Sequence, residues 1–258
     1  MNRDELVNLQ KQIEEEFKAA KNEFEQFCDN NIIPTGIKQF DEIFSGGLRT
    51  GDLCFIAARP ARGKTTFAIQ LAESIAEQGH KVCYFSLEKF PPKLKELLIQ
   101  KHSVILAGSD GECELDETAK VNTDYIKKKL DKDRKIDVVF VDYFQLLDGY
   151  DVRNHPRQGG EFSCQLKKIA KEYNVTVICC SALGREVDMR KPVFADLRKY
   201  GSVEQDIDEI IFIHRDFSQF DINDDYIRTE FIIAKNRRGD IGTIEGVIDI
   251  DRVKFDFK

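Results

Sequence analysis

The apolar positions of the chain change their period near residue 30. Between residues 2 and 28 they fall at Leu6, Leu9, Ile13, Phe17, Ala20, Phe24 and Phe27, in steps of 3, 4, 4, 3, 4 and 3. This spacing predicts a helix with one apolar stripe, and Asp29, Asn30 and Asn31 break it. The stripe has nothing local to pack on, so it covers either its own domain or another subunit. Beyond residue 50 the pattern becomes short, mostly apolar runs, at 53–58, 81–87, 137–143, 175–180 and 208–214, with a further strand at 226–235. Such runs predict buried strands. Helical spacing lies between them at 64–78, at 91–102 after Pro91 and Pro92, and at 161–173. A short helix over 38–44 opens at Thr35 or Gly36 and closes at Ser45, Gly46 and Gly47. Two last runs, 243–250 and 253–257, predict a hairpin turning at Asp251 and Arg252.

Strands that alternate with helices early and follow one another later predict an α/β fold, a mostly parallel sheet with an antiparallel extension. The organisation read from this is an N-terminal amphipathic helix over 1–31 and one α/β domain over 32–258. Residues 103–136 carry the weakest pattern. They read as an acidic loop over 108–117 and an exposed basic helix over 124–130, with Lys127, Lys128 and Lys129 as a solvated face. Polar loops are expected at 154–160, at 187–196, which a short helix follows, and at 216–225. No internal repeat is visible.

Composition narrows the class. The 258 residues are 41% hydrophobic and 33% charged, which suits a globular chain. The net charge is −7, so contact with nucleic acid would need a local basic patch. The seven cysteines form no C-x-x-C pair, and most lie in apolar runs. They read as buried free thiols of a reducing cytosol, with neither a zinc site nor a disulfide framework. No signal peptide or bilayer-length apolar run is present, so the expected location is cytoplasmic, with no membrane partner.

Residues 52–66 read D-L-C-F-I-A-A-R-P-A-R-G-K-T-T. The second half fits a phosphate-binding loop formed by Arg59, Pro60, Ala61, Arg62, Gly63, Lys64 and Thr65, with Thr66 following. Gly63 lets the backbone N–H groups face phosphate oxygens, and the helix that starts near Lys64 brings its positive dipole end there. Lys64 would reach the β and γ phosphates, and the Thr65 hydroxyl would hold Mg²⁺. Ala58 stands where such loops usually have their first glycine. Strand, loop and apolar helix occur in the required order, which a chance G-K-T would not provide.

Two carboxylates extend the motif. Asp142 ends the run V-V-F-V-D, where these folds place a carboxylate near Mg²⁺; the alternative is an ordinary strand-end aspartate. Glu88 ends the strand after the loop helix, where it could take a proton from an attacking water. Positive charge at the transition state could come from the turn Lys235, Asn236, Arg237, Arg238, Gly239, which is otherwise a basic hairpin tip.

Several stretches occur in an order that resembles a known family. They are I-P-T-G-I-K-Q-F-D-E-I-F-S-G-G-L-R-T-G-D-L at 33–53, A-A-R-P-A-R-G-K-T at 57–65, F-S-L-E at 85–88, V-D-Y-F-Q-L-L at 141–147, D-L-R-K-Y-G-S-V-E-Q-D at 196–206 and I-I-A-K-N-R-R-G at 232–239. Together they resemble the RecA-type motor domain of the replicative DNA helicases of the DnaB family, over about 33–257. That family's own loop tends to carry Ala-Ala-Arg-Pro, which accounts for Ala58. The resemblance implies a RecA-type P-loop NTPase core that binds ATP and Mg²⁺, works as a homo-hexameric ring and tracks single-stranded DNA, with primase and a helicase loader as possible partners. It gives Glu88 the role of base, Asp142 and Thr65 the Mg²⁺ side, and Lys235 and Arg237 action in trans on the adjacent subunit's nucleotide. Arg198, Lys199, Tyr200 and Gly201 become a channel loop that touches DNA phosphates, with Arg157 and Gln158 in a second channel-side segment. Residues 1–28 take the place of the linker helix that docks on a neighbouring subunit, and no part of the chain resembles the family's N-terminal primase-interacting domain.

The chain departs from the family at Ser181, Ala182 and Leu183, where Ser-Gln-Leu is usual, so the amide that would sense the γ-phosphate is missing. The segment between Glu88 and Asp142 is also shorter. Two functions follow as expectations. One is an ATP-driven replicative helicase motor. The other is a DnaB-like ATP-binding assembly module that binds DNA or a replication partner without unwinding. The I-P-T-G opening and the 196–206 run argue against a RecA-type recombinase or clock-like ATPase.

Overall fold

A computed structural model describes residues 31–87, 104–106, 121–149, 158–188, 190–215, 226–249 and 253–257. The expected helices over 2–28 and 91–102 lie outside the described residues. So do the loops at 108–117 and 216–225 and the hairpin turn at Asp251 and Arg252. The chain divides into two units, Met1–Ile32 and Ile33–Lys258, and the second holds the fold described below.

Among the described residues, nine strands form one sheet: β1 Leu53–Ala58, β2 Val82–Ser86, β3 Val104–Leu106, β4 Val138–Asp142, β5 Thr176–Ala182, β6 Glu209–His214, β7 Tyr226–Asn236, β8 Gly242–Asp249 and β9 Lys254–Phe257. Their spatial order is β9-β8-β7-β6-β1-β5-β4-β2-β3. The pairs from β6 through β1, β5, β4 and β2 to β3 are all parallel. From β6 outward to β9 they are antiparallel. The expected parallel sheet with an antiparallel extension is therefore the fold. Helices α1 Lys38–Ile43, α2 Lys64–Glu77, α3 Thr123–Lys132 and α4 Gln158–Tyr173 complete the frame.

The continuous apolar runs follow from burial on both faces of the sheet. Along β1, Cys54, Ile56 and Ala58 join the core that contains α1 and α2, whereas Leu53, Phe55 and Ala57 join the core that contains α3 and α4. Val138 and Phe140 of β4 divide from Val139 and Val141 in the same way. The first core centres on an aromatic cluster in which Phe67 lies 4.7 Å from Phe231 and 5.1 Å from Phe40, ring centroid to centroid. Gln70 of α2 clamps the edge strand β9 to that core. Its Nε2 donates to Phe255 O at 2.8 Å, and its Oε1 accepts from Phe255 N at 2.7 Å.

Several expectations change. Strand β3 is not visible in the pattern, because three apolar residues in a polar stretch give no usable period. Helix α4 begins at Gln158, not at 161. Gly159 and Gly160 look like loop residues, but a Cβ on Gly160 would stand 2.9 Å from Ser202 Oγ, so glycine there lets the 201–206 segment approach α4. The short helix expected after 196 is present as the 3₁₀ helix Phe194–Tyr200, which starts inside the expected loop and ends at Gly201, with φ of 98°, so Arg198–Tyr200 is not an open loop. Helix α3 is exposed on its lysine side only, since Ile126 and Leu130 are buried. Cys54, Cys83, Cys164, Cys179 and Cys180 are free thiols. Among the described residues no helix is long and apolar enough to cross a membrane.

Candidate functional site

The phosphate-binding loop leaves β1 at Ala58 and enters α2 at Lys64. Gly63 caps the helix with φ of 88°, and Ala61 also has positive φ, of 60°. Left-handed backbone at these positions turns the chain back over the N-terminus of α2, which carries the positive end of the helix dipole. Arg59 braces the loop. Its Nε and Nη2 donate to the two carboxylate oxygens of Asp188 at 2.6 and 2.9 Å, and its Nη1 donates to Leu183 O at 2.9 Å. The hydrogen bond to Asp188 raises the Arg59 pKa and lowers that of Asp188.

Lys64 Nζ lies 2.7 Å from Asp142 Oδ1, with both side chains largely buried. Tyr84 OH donates to the other carboxylate oxygen at 2.9 Å, and burial pushes the Tyr84 phenol well above its ordinary range. The ammonium also lies 4.8 Å from the centroid of the Tyr143 ring. The strand-end carboxylate and the loop lysine, 78 residues apart, thus form one centre. Thr65 is half-buried in the first turn of α2. Carboxylate and hydroxyl oxygens form a donor set that suits a hard divalent cation completed by phosphate and water, so Asp142 and Thr65 fit the expected Mg²⁺. Glu88 lies outside the described residues. The residue before it, Leu87, donates its N–H to Asp142 O at 2.7 Å.

The main chain of Ala182, where the family's amide is missing, is bound by a neighbouring segment. Gln145, in the 3₁₀ helix Phe144–Leu146 that follows β4, reaches across to the end of β5. Its Nε2 donates to Ser181 Oγ at 2.9 Å and to Ala182 O at 3.1 Å, and its Oε1 accepts from Ala182 N at 3.2 Å. Tyr200 OH donates to the same Ala182 carbonyl at 2.5 Å. The ends of β4 and β5 and the 3₁₀ helix Phe194–Tyr200 therefore meet at the main chain of Ala182.

The candidate trans residues follow a bulge, since Ile210 pairs with Lys235 but Ile211 pairs with Ile233. Lys235 Nζ donates to Ile207 O at 2.5 Å and Glu204 O at 2.9 Å, and burial lowers its pKa. Arg237 is exposed, and its Nη1 lies 3.2 Å from Asp208 Oδ1. Arg238 pairs with Asp52. Asp52, Asp208 and Glu209 form a buried acidic cluster that Lys167 also enters, 2.5 Å from Asp208 and 3.2 Å from Asp52. Lys167, Arg237 and Arg238 pair with its two aspartates, and burial pushes the Glu209 carboxyl well above the usual carboxylate range. Arg198 and Lys199 are both exposed and bound to acidic neighbours, Glu204 at 2.9 Å and Glu186 at 2.8 Å. Arg157 lies outside the described residues. Gln158 Nε2 donates to Gly149 O at 2.5 Å.

The structure brings Lys64 and Asp142 together, with Arg59 and Gly63 in the same loop. Arg198, Lys199, Lys235 and Arg237 belong to other segments of the surface. Sequence pattern does not point to Tyr84, Gln145, Asp188 or Arg215. Tyr84 and Gln145 lie in or beside quoted motifs, but their partners are set by which strands are neighbours. Arg215 is nine-tenths buried beside the loop, and burial followed by the nearby Arg62 charge pushes its pKa down to about 10.

A family model described as the DnaB-like helicase C terminal domain matches residues 32–122 and 109–256. The replicative DNA helicase DnaB of Geobacillus stearothermophilus is 32% identical over 246 residues, covering 83% of this chain and 54% of that protein. A probable plasmid replicative DNA helicase of Chlamydia psittaci is also 32% identical, covering 81% of this chain and 52% of its own length. The chain thus spans about half the length of the curated relatives it matches. Among solved structures, one described as an ATPase domain superposes with a TM-score of 0.75 at 28% identity, covering 95% of this chain and 98% of the other. A DnaB-like replicative helicase described with its interactions with primase gives a TM-score of 0.72 at 28% identity, covering 93% and 65%.

Proposed function

Because the chain belongs to the DnaB-like helicase C-terminal domain family, we propose that it is an ATP-hydrolysing motor of a replicative DNA helicase. It works as a ring of six copies and moves on single-stranded DNA. The observation that carries this reading is the Lys64–Asp142 contact at 2.7 Å on a phosphate-binding loop. A nucleotide triphosphate laid on the loop would meet the N–H groups of the α2 N-terminus and the Lys64 ammonium. Bound Mg²⁺, held by Thr65 and Asp142, would neutralise charge on the phosphate oxygens. Glu88 would take a proton from the water that attacks the γ-phosphorus as the bond to the leaving oxygen of ADP breaks.

Arg237 would reach the adjacent subunit's nucleotide. Lys235 is fixed on its own chain's carbonyls, so it suits a positioning role for the 236–239 turn. Arg198, Lys199, Gly201 and Arg157 would contact DNA phosphates without reading base sequence. The exposed ion pairs of Arg198 and Lys199 are weak enough to exchange for phosphate. Residues 1–31 would act as a helix that docks on a neighbouring subunit. Primase and a helicase loader are candidate partners, with the cytoplasm as the site of action.

The alternative of a non-unwinding assembly module draws on the alanine at 182. Steady-state ATP hydrolysis with and without single-stranded DNA tests the proposal, beside a Lys64→Ala control. Stimulation by DNA that vanishes in the control is expected. Nucleotide binding without stimulated turnover would favour the assembly module.

A further inference from the structure

Tyr84 is a hydroxyl-bearing side chain in the middle of the buried strand β2, and it is itself fully buried. β2 and β4 run parallel, with Tyr84 opposite Phe140 and Ser86 opposite Asp142. Side chains two residues apart share one face of a strand, so Tyr84, Phe140 and Asp142 lie on the same face of the sheet. The Tyr84 and Phe140 rings stack with centroids 5.3 Å apart and 11° between their planes. That stack fixes the direction of the phenol, whose OH donates to Asp142 Oδ2 at 2.9 Å. A phenylalanine would fill the same space, so packing alone does not require the hydroxyl.

The Asp142 carboxylate is held from two sides. Its Oδ1 accepts from Lys64 Nζ at 2.7 Å, and its Oδ2 accepts from Tyr84. The two donors differ in kind. Lys64 is a cation on a flexible stem, and a bound nucleotide would draw its ammonium towards the phosphates. Tyr84 is neutral and fixed by its ring stack. When Lys64 turns away, a carboxylate that is 2% exposed gains almost no water in its place. Cys180 of β5 lies near the same carboxylate, and burial followed by the Asp142 charge pushes its thiol up, but a thiol is a weak donor. The Tyr84 hydroxyl is the strong donor that stays.

We propose that Tyr84 is a positioning residue for the divalent cation: its hydroxyl keeps the Asp142 carboxylate aimed at the metal side once Lys64 has turned to the phosphates. This role rests on the nucleotide site proposed above. A second cation in place of Tyr84 would cancel the charge that attracts Mg²⁺. A phenol instead orients the carboxylate and leaves its charge in place, as outer partners of metal ligands do. Holding Oδ2 from the β2 side leaves Oδ1, the oxygen that Lys64 gives up, for the metal side.

The test is binding of a non-hydrolysable ATP analogue to the full chain, measured calorimetrically with Mg²⁺ and with EDTA in its place. Wild type is compared with Tyr84→Phe, Asp142→Asn and the double variant, with Tm recorded for each without nucleotide. The quantity read is the gain in affinity that Mg²⁺ provides. Tyr84→Phe keeps the ring stack, and it is expected to cut that gain about tenfold while metal-free affinity stays at the wild-type value. Asp142→Asn is expected to cut the gain at least as far. Adding Tyr84→Phe to Asp142→Asn is expected to change it no further, because the hydroxyl acts through the carboxylate. A merely structural tyrosine would lower Tm and leave the Mg²⁺ gain at its wild-type size. That result for Tyr84→Phe would overturn the proposal, and so would a further loss in the double variant. If wild type bound no nucleotide, or if Asp142→Asn kept the full Mg²⁺ gain, the site or its metal carboxylate would fail and the role of Tyr84 with it. Both failures are distinct from an unchanged Tyr84→Phe beside an impaired Asp142→Asn.

Discussion

Lys64 and Asp142 share a contact of 2.7 Å in which the carboxylate is 2% exposed and the ammonium side chain 11% exposed. Removing one partner of such a pair leaves a buried charge without compensation, at a cost of about 3–5 kcal/mol. Lys64→Ala should therefore lower the urea midpoint as well as abolish nucleotide turnover. Lys64→Met combined with Asp142→Asn should recover most of the stability but none of the turnover. A loss in the double variant equal to the sum of the losses in the two single variants would rule out coupling between the two residues.

Gly63 cannot carry a side chain without strain. Its φ is 88°, and a Cβ would stand 2.7 Å from both Arg215 Nη2 and Phe255 Cζ. Gly63→Ala is expected to cost about 1–3 kcal/mol in denaturant unfolding and to weaken nucleotide binding. A neutral effect on both would mean that the loop relaxes freely around position 63.

Action in trans by Arg237 can be read from mixed rings. Arg237→Ala should bind nucleotide normally yet lose turnover by about 10³-fold or more. Mixing it with Lys64→Ala subunits should restore part of the rate, since some interfaces then join an intact loop to an intact Arg237. If turnover stayed at the level of the separate variants, Arg237 would not serve a neighbour's nucleotide.

Gln145 joins the end of β4 to the end of β5 by three hydrogen bonds. Gln145→Ala should cost about 1–3 kcal/mol, as for partners left unsatisfied at a partly buried site. It should also reduce DNA stimulation of the ATPase rate more than the basal rate, because Tyr200 shares the Ala182 carbonyl. Proportional loss of both rates would confine Gln145 to the nucleotide side.

The 3₁₀ helix Phe194–Tyr200 has its own pH signature. The hydrogen bond from Arg190 lowers the Asp196 pKa below its ordinary value, and the bond from Val193 N adds to this. The unfolded chain then binds the proton more readily than the folded one. The contribution is complete above the ordinary aspartate pKa of about 3.9 and is lost as pH falls through the lowered folded value. Asp196→Asn should flatten the acid limb of stability between about pH 4 and pH 2. An unchanged limb would show that the pair has no net linkage to folding.

The sheet and its loop are legible in the amino-acid pattern without any coordinates. Strands buried on both faces must be continuously apolar, so β1, β2, β4, β5 and β6 can be placed within one or two residues. The G-K-T turn after such a strand locates Lys64, and a strand-end Asp142 suggests its metal role. Strand β3 is hidden because it is short, and the first turn of α4 because glycines needed for close approach look like loop. Which groups meet is a different matter, and the fold sets it. Asp142 touches Tyr84 because β4 and β2 are neighbours, and Lys64 because α2 starts beyond the end of β1, with only β5 between β1 and β4. Gln145 reaches Ala182 only because β5 lies between β4 and β1, and Arg215 reaches Gly63 only because β6 flanks β1 on the other side. Periodicity is a property of a single strand, whereas these contacts depend on strand order, which parallel crossovers set at separations of tens of residues.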